Sequence, residues 1–98
     1  MTVNQTIQGI KFEWDDAKAR TNQIKHKVSF ESACEVFFDP FLQPDKEEVI
    51  DDELRETVIG LTKRWQLLFV AYTMRKDTIR IISARNATPH QKSNYENQ

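Results

Sequence analysis

The stretch RETVIGLTKRWQLLFVAYTMRKDTIRIISAR, residues 55–85, decides the fold. Its apolar residues recur at every second position, and it is rich in β-branched and aromatic side chains. That is the pattern of half-buried strands. Lys63-Arg64 and Lys76-Asp77 interrupt it, leaving RETVIGL, WQLLFVAYT and TIRIISA as three successive strands. Short connections make them an antiparallel meander. With Lys76-Asp77 as a two-residue turn, Thr73 pairs with Arg80, Ala71 with Ile82 and Phe69 with Ala84. On the other face Met74, Tyr72 and Val70 meet Ile79, Ile81 and Ser83. This second face is the more apolar and is assigned to the core. Arg80 then projects away from the core, and strict alternation puts Arg85 on the face opposite Arg80. Phe69 and Ile82 share the Arg80 face, which is too apolar for free solvent and calls for a covering element or partner.

Upstream, the period changes. Residues 1–9 are polar and form an arm or a first short strand running into IKFEW. In WDDAKARTNQIKHK, Asp15 caps a helix of about three turns and Asp16 suits its positive end. Trp14, Ala17, Thr21 and Ile24 fall on one side of it. Ser29 caps a second helix, whose stripe Phe30, Ala33, Cys34 and Phe37 follows i, i+3, i+4, i+7. Asp39-Pro40 ends it, because a residue before proline is pushed out of the α region. Residues 44–53 form an acidic loop or short edge strand. Downstream, Thr88-Pro89-His90-Gln91 carries a capping threonine, proline at the first helical position and glutamine three residues after the cap. A short polar C-terminal helix with Lys92 and Tyr95 follows.

The 98 residues suit one domain, and 39% hydrophobic content supports a small core. A single cysteine, Cys34, excludes an internal disulfide framework and fits a reducing cytosol as a small buried residue. No apolar run approaches the roughly 20 residues of a membrane span, and the first residues lack the apolar core of a signal peptide. The expected location is the cytoplasm. The net charge of −1 is unevenly spread. Residues 39–56 carry eight acidic and two basic groups, whereas residues 57–98 carry seven basic and two acidic ones. A basic C-terminal half suits phosphates or an acidic partner; a solvated surface of mixed charge is the plainer alternative.

The side chains exclude several chemistries. His26 and His90 are far apart in sequence, Cys34 has no close partner, and so no metal motif is present. With only Gly9 and Gly60, there is no glycine-rich phosphate loop. What remains is cationic: Arg80 and Arg85 bracket the last strand, Arg75 ends the one before, and Arg55 opens the first. A guanidinium offers a planar fork of donors that matches phosphate oxygens. Several of them on adjacent strands suit a transition state that gathers negative charge. Metal-free RNA cleavage asks little more than a group to take the 2′-OH proton and a donor for the leaving oxygen. Histidine, here His26, changes charge near neutral pH, and Lys25 offers an amine as base or phosphate contact. Tyr95 can stack on a base, donate a proton or dock the last helix. Arg55 has Glu53 and Glu56 as alternative partners, and Trp14 and Trp65 suit core or boundary positions.

The segments FEWDDAKARTNQIKHKVSF, DELRETVIG and LLFVAYTMRKDTIRIISARNAT, in this order and spacing, resemble the BrnT family, toxins of type II toxin–antitoxin pairs. The resemblance runs from Phe12 to about Tyr95. It implies a single RelE-like α+β domain over residues 1–98. Two N-terminal helices, an antiparallel four-stranded sheet containing the meander, and a short C-terminal helix would compose it. It implies a ribonuclease that inhibits translation and needs no cofactor. Its partners would be an RNA substrate and a BrnA-like antitoxin of ribbon–helix–helix type, through which alone it meets operator DNA, with no membrane contact. Lys25, His26, Arg55, Arg80 and Arg85 match as site residues, and Tyr95 follows them. Two departures stand out. Family members usually read KHGVSF, where this chain has Lys27 in place of the glycine, and the last helix keeps only Lys92 as a basic residue. The thinner charge and the acidic 39–56 segment sustain a second reading, a non-catalytic module that acts only as co-repressor with its antitoxin.

Overall fold

A computed structural model describes residues 1–98. It contains six strands, β1 (Thr2–Ile7), β2 (Ile10–Asp15), β3 (Gln43–Ile50), β4 (Glu53–Leu61), β5 (Leu67–Arg75) and β6 (Thr78–Asn86). Three helices accompany them, α1 (Asp16–His26), α2 (Phe30–Glu35) and α3 (Pro89–Glu96), and a 3₁₀ turn, Val36–Phe38, extends α2. The strands form one sheet in the order β1-β2-β6-β5-β4-β3. All neighbours are antiparallel except β2 and β6, which run parallel.

The expected antiparallel four-stranded sheet is therefore corrected to a six-stranded mixed sheet, and a hairpin precedes the two N-terminal helices. Its turn is Gln8-Gly9, both at positive φ (48° and 83°), the twist that two-residue hairpins favour. Ile10, Phe12 and Trp14 alternate along β2, with Phe12 and Trp14 buried. They anchor the hairpin in the core, and β2 closes onto β6 across more than sixty residues of chain. The acidic 43–50 segment is an edge strand, not a loop. Asp45 is the extra residue where its register to β4 shifts. Charge and irregularity on an edge discourage pairing with other chains.

The helices cover one face. Asp15 caps α1 by accepting from Lys18 N (3.0 Å), and Ser29 caps α2 by accepting from Ser32 N (3.0 Å). Thr88 and Gln91 form the full reciprocal cap of α3. Beneath α1 and α2 lie Phe12, Trp14, Val58, Leu68, Val70, Ile81 and Ala84, packed against Val28, Phe30, Ala33, Cys34 and Val36. The face expected for α1 is not the buried one. Ile24 is exposed, while Asn22 is buried. Lys27 adopts the left-handed conformation (φ 58°, ψ 30°) and closes α1 through its N–H to Gln23 O. A lysine thus holds the geometry that glycine would hold without strain.

The meander pairs as expected from the turn as far as Tyr72 and Ile81, with Thr73 opposite Arg80. Beyond that the register shifts by one. Ala71 faces Ser83, Val70 faces Ala84 and Phe69 faces Arg85, so Ile82 is a bulge. An extra residue flips the alternation of everything after it. Arg80 and Arg85 consequently project from the same face of the sheet, opposite α1 and α2, contrary to strict alternation.

Candidate phosphate-binding site

The bulge forms where β2 stops being β6's neighbour. After Asp15 the chain turns into α1, and Asn22 takes the place of the missing strand. Its amide donates to Ala84 O (2.7 Å) and Val28 O (2.9 Å), and its Oδ1 accepts from Ala84 N (3.1 Å). The side chain thus supplies the two hydrogen bonds of a strand partner, which buried backbone groups require. The same clamp ties α1, the α1–α2 turn and the Arg85 end of β6 together.

Across the open face, one cross-strand row reads Glu48, Arg55, Thr73, Arg80, Glu13 from β3 to β2. With strands about 4.8 Å apart, Arg55 and Arg80 leave the sheet about 10 Å from each other. Their fates differ. Arg80 donates to Glu13 Oε2 at 2.6 Å, and both side chains are less than one-fifth exposed. Arg55 makes no ion pair, neither with Glu53 nor with Glu56, and its Nε is buried without a hydrogen-bond partner. Such an atom costs about 1–3 kcal/mol until an acceptor reaches it. Arg75 is taken by Glu53 (3.0 Å), which lowers the Glu53 carboxyl from its ordinary range through that hydrogen bond first.

Arg85 lies one bulge and four residues along. Its guanidinium stacks over the Phe69 ring at 4.3 Å, and Nη1 donates to Asn86 O and Gln91 Oε1, both at 3.2 Å. A stacked, tethered guanidinium is held ready for a ligand with little further ordering. Arg55 and Arg85 face one cavity of ≈ 440 Å³. Thr57, Phe69, Ala71 and Ser83 also line it, with Gln91 from α3 and Asp45, Lys46, Glu47 and Glu48 from β3. Phe69 is thus partly covered by this chain's own arginine.

Lys25 and His26, exposed in the last turn of α1, line a neighbouring cavity of ≈ 310 Å³ with Thr21 and Asn22. The two cavities meet at Ile82 and Ser83, which line both. The bulge is therefore the rim between the arginines and the Lys25-His26 pair. Tyr95 is placed elsewhere. Its hydroxyl donates to Asp39 Oδ2 at 2.6 Å, and Asp39 also accepts from Phe41 N and Leu61 N. Burial and the Asp39 carboxylate push the Tyr95 phenol up to about 12. It docks α3 rather than joining the arginines.

Sequence reasoning named Arg55, Arg85, Lys25 and His26 but not the residues that organise them. Asn22 and Phe69 as the stacking platform carry no motif, and Gln91 was legible only as the capping glutamine of α3. Only an unpaired asparagine amid helix formers hints at the clamp.

Preorganised guanidinium groups around an open cavity, with an imidazole and an amine across its rim, suit an α+β protein of the class that handles phosphate esters. Residues 14–91 match the family model described as "Ribonuclease toxin, BrnT, of type II toxin-antitoxin system". The fold matches the 1.1 Å crystal structure of the Brucella abortus ribonuclease toxin BrnT with a TM-score of 0.52 and 22% identity, over 76% of this chain and 92% of that one. No curated protein sequence matches. The chain belongs to the BrnT family of ribonuclease toxins of type II toxin–antitoxin systems, and an antitoxin is accordingly its partner.

Proposed function

We propose that this toxin is an endoribonuclease that cuts single-stranded RNA by attack of the 2′-OH on the adjacent phosphate, without a metal ion. The observation that carries this reading is the pair of guanidinium groups at one cavity, one with an orphaned Nε and one stacked in readiness. Arg55 and Arg85 take the non-bridging oxygens of the scissile phosphate and neutralise the charge gained in the transition state. His26 or Lys25, across the Ile82-Ser83 rim, removes the 2′-OH proton. The 2′ oxygen bonds phosphorus, the bond to the 5′ oxygen breaks, and that oxygen takes up a proton. The products are a 2′,3′-cyclic phosphate and a 5′-OH. Arg80, whose charge Glu13 balances, fixes β6 to β2 beside the site.

In this reading residues 1–98 act as one RelE-like toxin domain in the cytoplasm. RNA loss halts translation, and a BrnA-like ribbon–helix–helix antitoxin neutralises the toxin and carries it to operator DNA. No helix is long and apolar enough to cross a membrane.

Purified protein incubated with an unstructured RNA, with and without EDTA, tests the proposal. Cleavage to cyclic-phosphate ends in both conditions is expected, with at least a hundredfold loss in Arg85→Ala while circular dichroism stays native. Intact RNA with the folded wild-type chain would leave the co-repressor reading in its place. Loss of cleavage in EDTA alone would overturn metal independence.

A further inference from the structure

The β4–β5 connection, Thr62–Gln66, presents a tryptophan to solvent. Trp65 is 81% exposed, although an indole gains more from burial than almost any other side chain. It also sits at φ 64°, a left-handed conformation that costs a residue with a Cβ about 1–2 kcal/mol. Two unfavourable choices meet at one residue.

The loop backbone is nonetheless well held. Thr62, buried, donates its N–H to Gln66 O (2.9 Å) and accepts from Trp65 N at its carbonyl (3.0 Å). Its hydroxyl oxygen accepts from Arg64 N (3.3 Å) and Gln66 N (3.1 Å). Lys63 N donates to Glu35 Oε1 (2.9 Å). The side chains of Lys63, Arg64 and Trp65 are left outside this network, all exposed. The five ion pairs of the structure involve neither cation. Glu35 and Asp39 border the indole in a shallow cavity with Phe38 and Pro40, but each already accepts from backbone N–H groups.

The tip extends the two strands that carry Arg55 and Phe69. Leu61 pairs with Leu67 at its base, and Phe69, opposite Arg85, is two residues further along β5. That is about 7 Å of strand. An exposed aromatic plane beside two free cations on a well-held loop is the arrangement that takes a base and its neighbouring phosphates without reading sequence.

We propose that Lys63-Arg64-Trp65 is a second RNA contact, outside the cleavage cavity, that stacks on one base and holds the strand running to Arg55 and Arg85. It rests on the ribonuclease reading for its ligand.

The probe is a fluorescein-labelled oligouridylate, bound to the Arg85→Ala protein to prevent turnover and followed by anisotropy. Trp65→Gly removes the indole at a backbone position glycine prefers, so folding is preserved or improved. It should weaken binding at least fivefold, the lower end expected for one stacked base. Lys63→Glu with Arg64→Glu should lower the slope of log affinity against log salt by about 1.4. Oligouridylate should also quench tryptophan emission, because Trp14 is buried and Trp65 is not. Unchanged affinity, salt slope and emission would overturn the proposal and leave the tip to a protein partner. If the wild-type chain still cleaves RNA in that case, only the tip proposal fails. No binding and no cleavage would sink both.

Discussion

Asn22→Ala should be among the most damaging single substitutions on α1. The side chain makes three hydrogen bonds to backbone groups of Ala84 and Val28 and is 6% exposed. Each is worth about 1 kcal/mol net, and a buried group left without a partner costs about 1–3 kcal/mol. Water entering from the adjoining cavity relieves part of this, so a loss of about 3 kcal/mol is expected. Stability of such domains is about 5–15 kcal/mol in total. Urea unfolding followed by circular dichroism reads it directly: with an m-value of about 1–3 kcal/mol/M, the midpoint falls by roughly 1–3 M. Asn22→Asp separates the roles. It keeps an acceptor for Ala84 N–H but sets a carboxylate against two carbonyl oxygens. It should be at least as destabilising at neutral pH and partly recover in mild acid, where the introduced carboxyl gains a proton to donate. Loss of the clamp also frees the bulge, so RNA cleavage should fall in the fraction that remains folded. A cost below about 1 kcal/mol for Asn22→Ala would refute the view that this amide stands in for a strand.

Lys27→Gly should stabilise the protein by about 1 kcal/mol in the same urea assay, since it relieves a left-handed lysine at φ 58°; a loss would mean the lysine side chain makes a needed contact. Gly60→Ala should cost about 1–3 kcal/mol, because an added Cβ would lie 2.7 Å from Val36 Cβ and 3.1 Å from Val36 O; a neutral result would show that Val36 can retreat. Stability should also decline in alkali. Burial raises the Cys34 thiol from 9.0 to about 12, so between these values the unfolded chain has released a proton that the folded one retains. The stabilisation is complete below pH 9 and disappears as pH rises towards 12, at up to about 1.4 kcal/mol per pH unit. Unfolding midpoints at pH 8 and pH 10.5 should converge less steeply to zero in Cys34→Ala than in the wild type, and parallel declines would exclude the thiol as the cause.

The meander, both helix caps of the N-terminal half and the capping box of α3 were legible because each depends on a few adjacent residues. The hairpin β1–β2 was less so. Ile10, Phe12 and Trp14 alternate cleanly, but six residues of period two are short, and Gln8-Gly9 is a weaker turn signal than Asn-Gly. Its parallel pairing to β6 is non-local and leaves no trace in either segment. The bulge at Ile82 was hidden for a related reason. It is imposed by Asn22, sixty residues away, and not by the composition of β6. Thus Arg80, Arg85, Lys25 and His26 could be named from sequence, whereas the fact that Arg80 and Arg85 share a face could not. Tyr95 and Trp65 differ in how well their environments could be read. Of the readings open to Tyr95, docking the last helix is the one its bond to Asp39 fits, whereas Trp65, suited to the core or its boundary, stands in solvent.

The parallel pairing of β2 with β6 sets the order in which the molecule can be completed. The hairpin that carries Glu13 is synthesised 67 residues before its pairing partner Arg80. Asn22 likewise waits for Ala84. Contacts this distant in sequence close late and slowly. An unfinished chain therefore holds Arg55 but neither Arg85, its bulge nor α3. The cavity between the two arginines is thus a product of long-range closure, assembled only after β6 and α3 have joined the strands made before them.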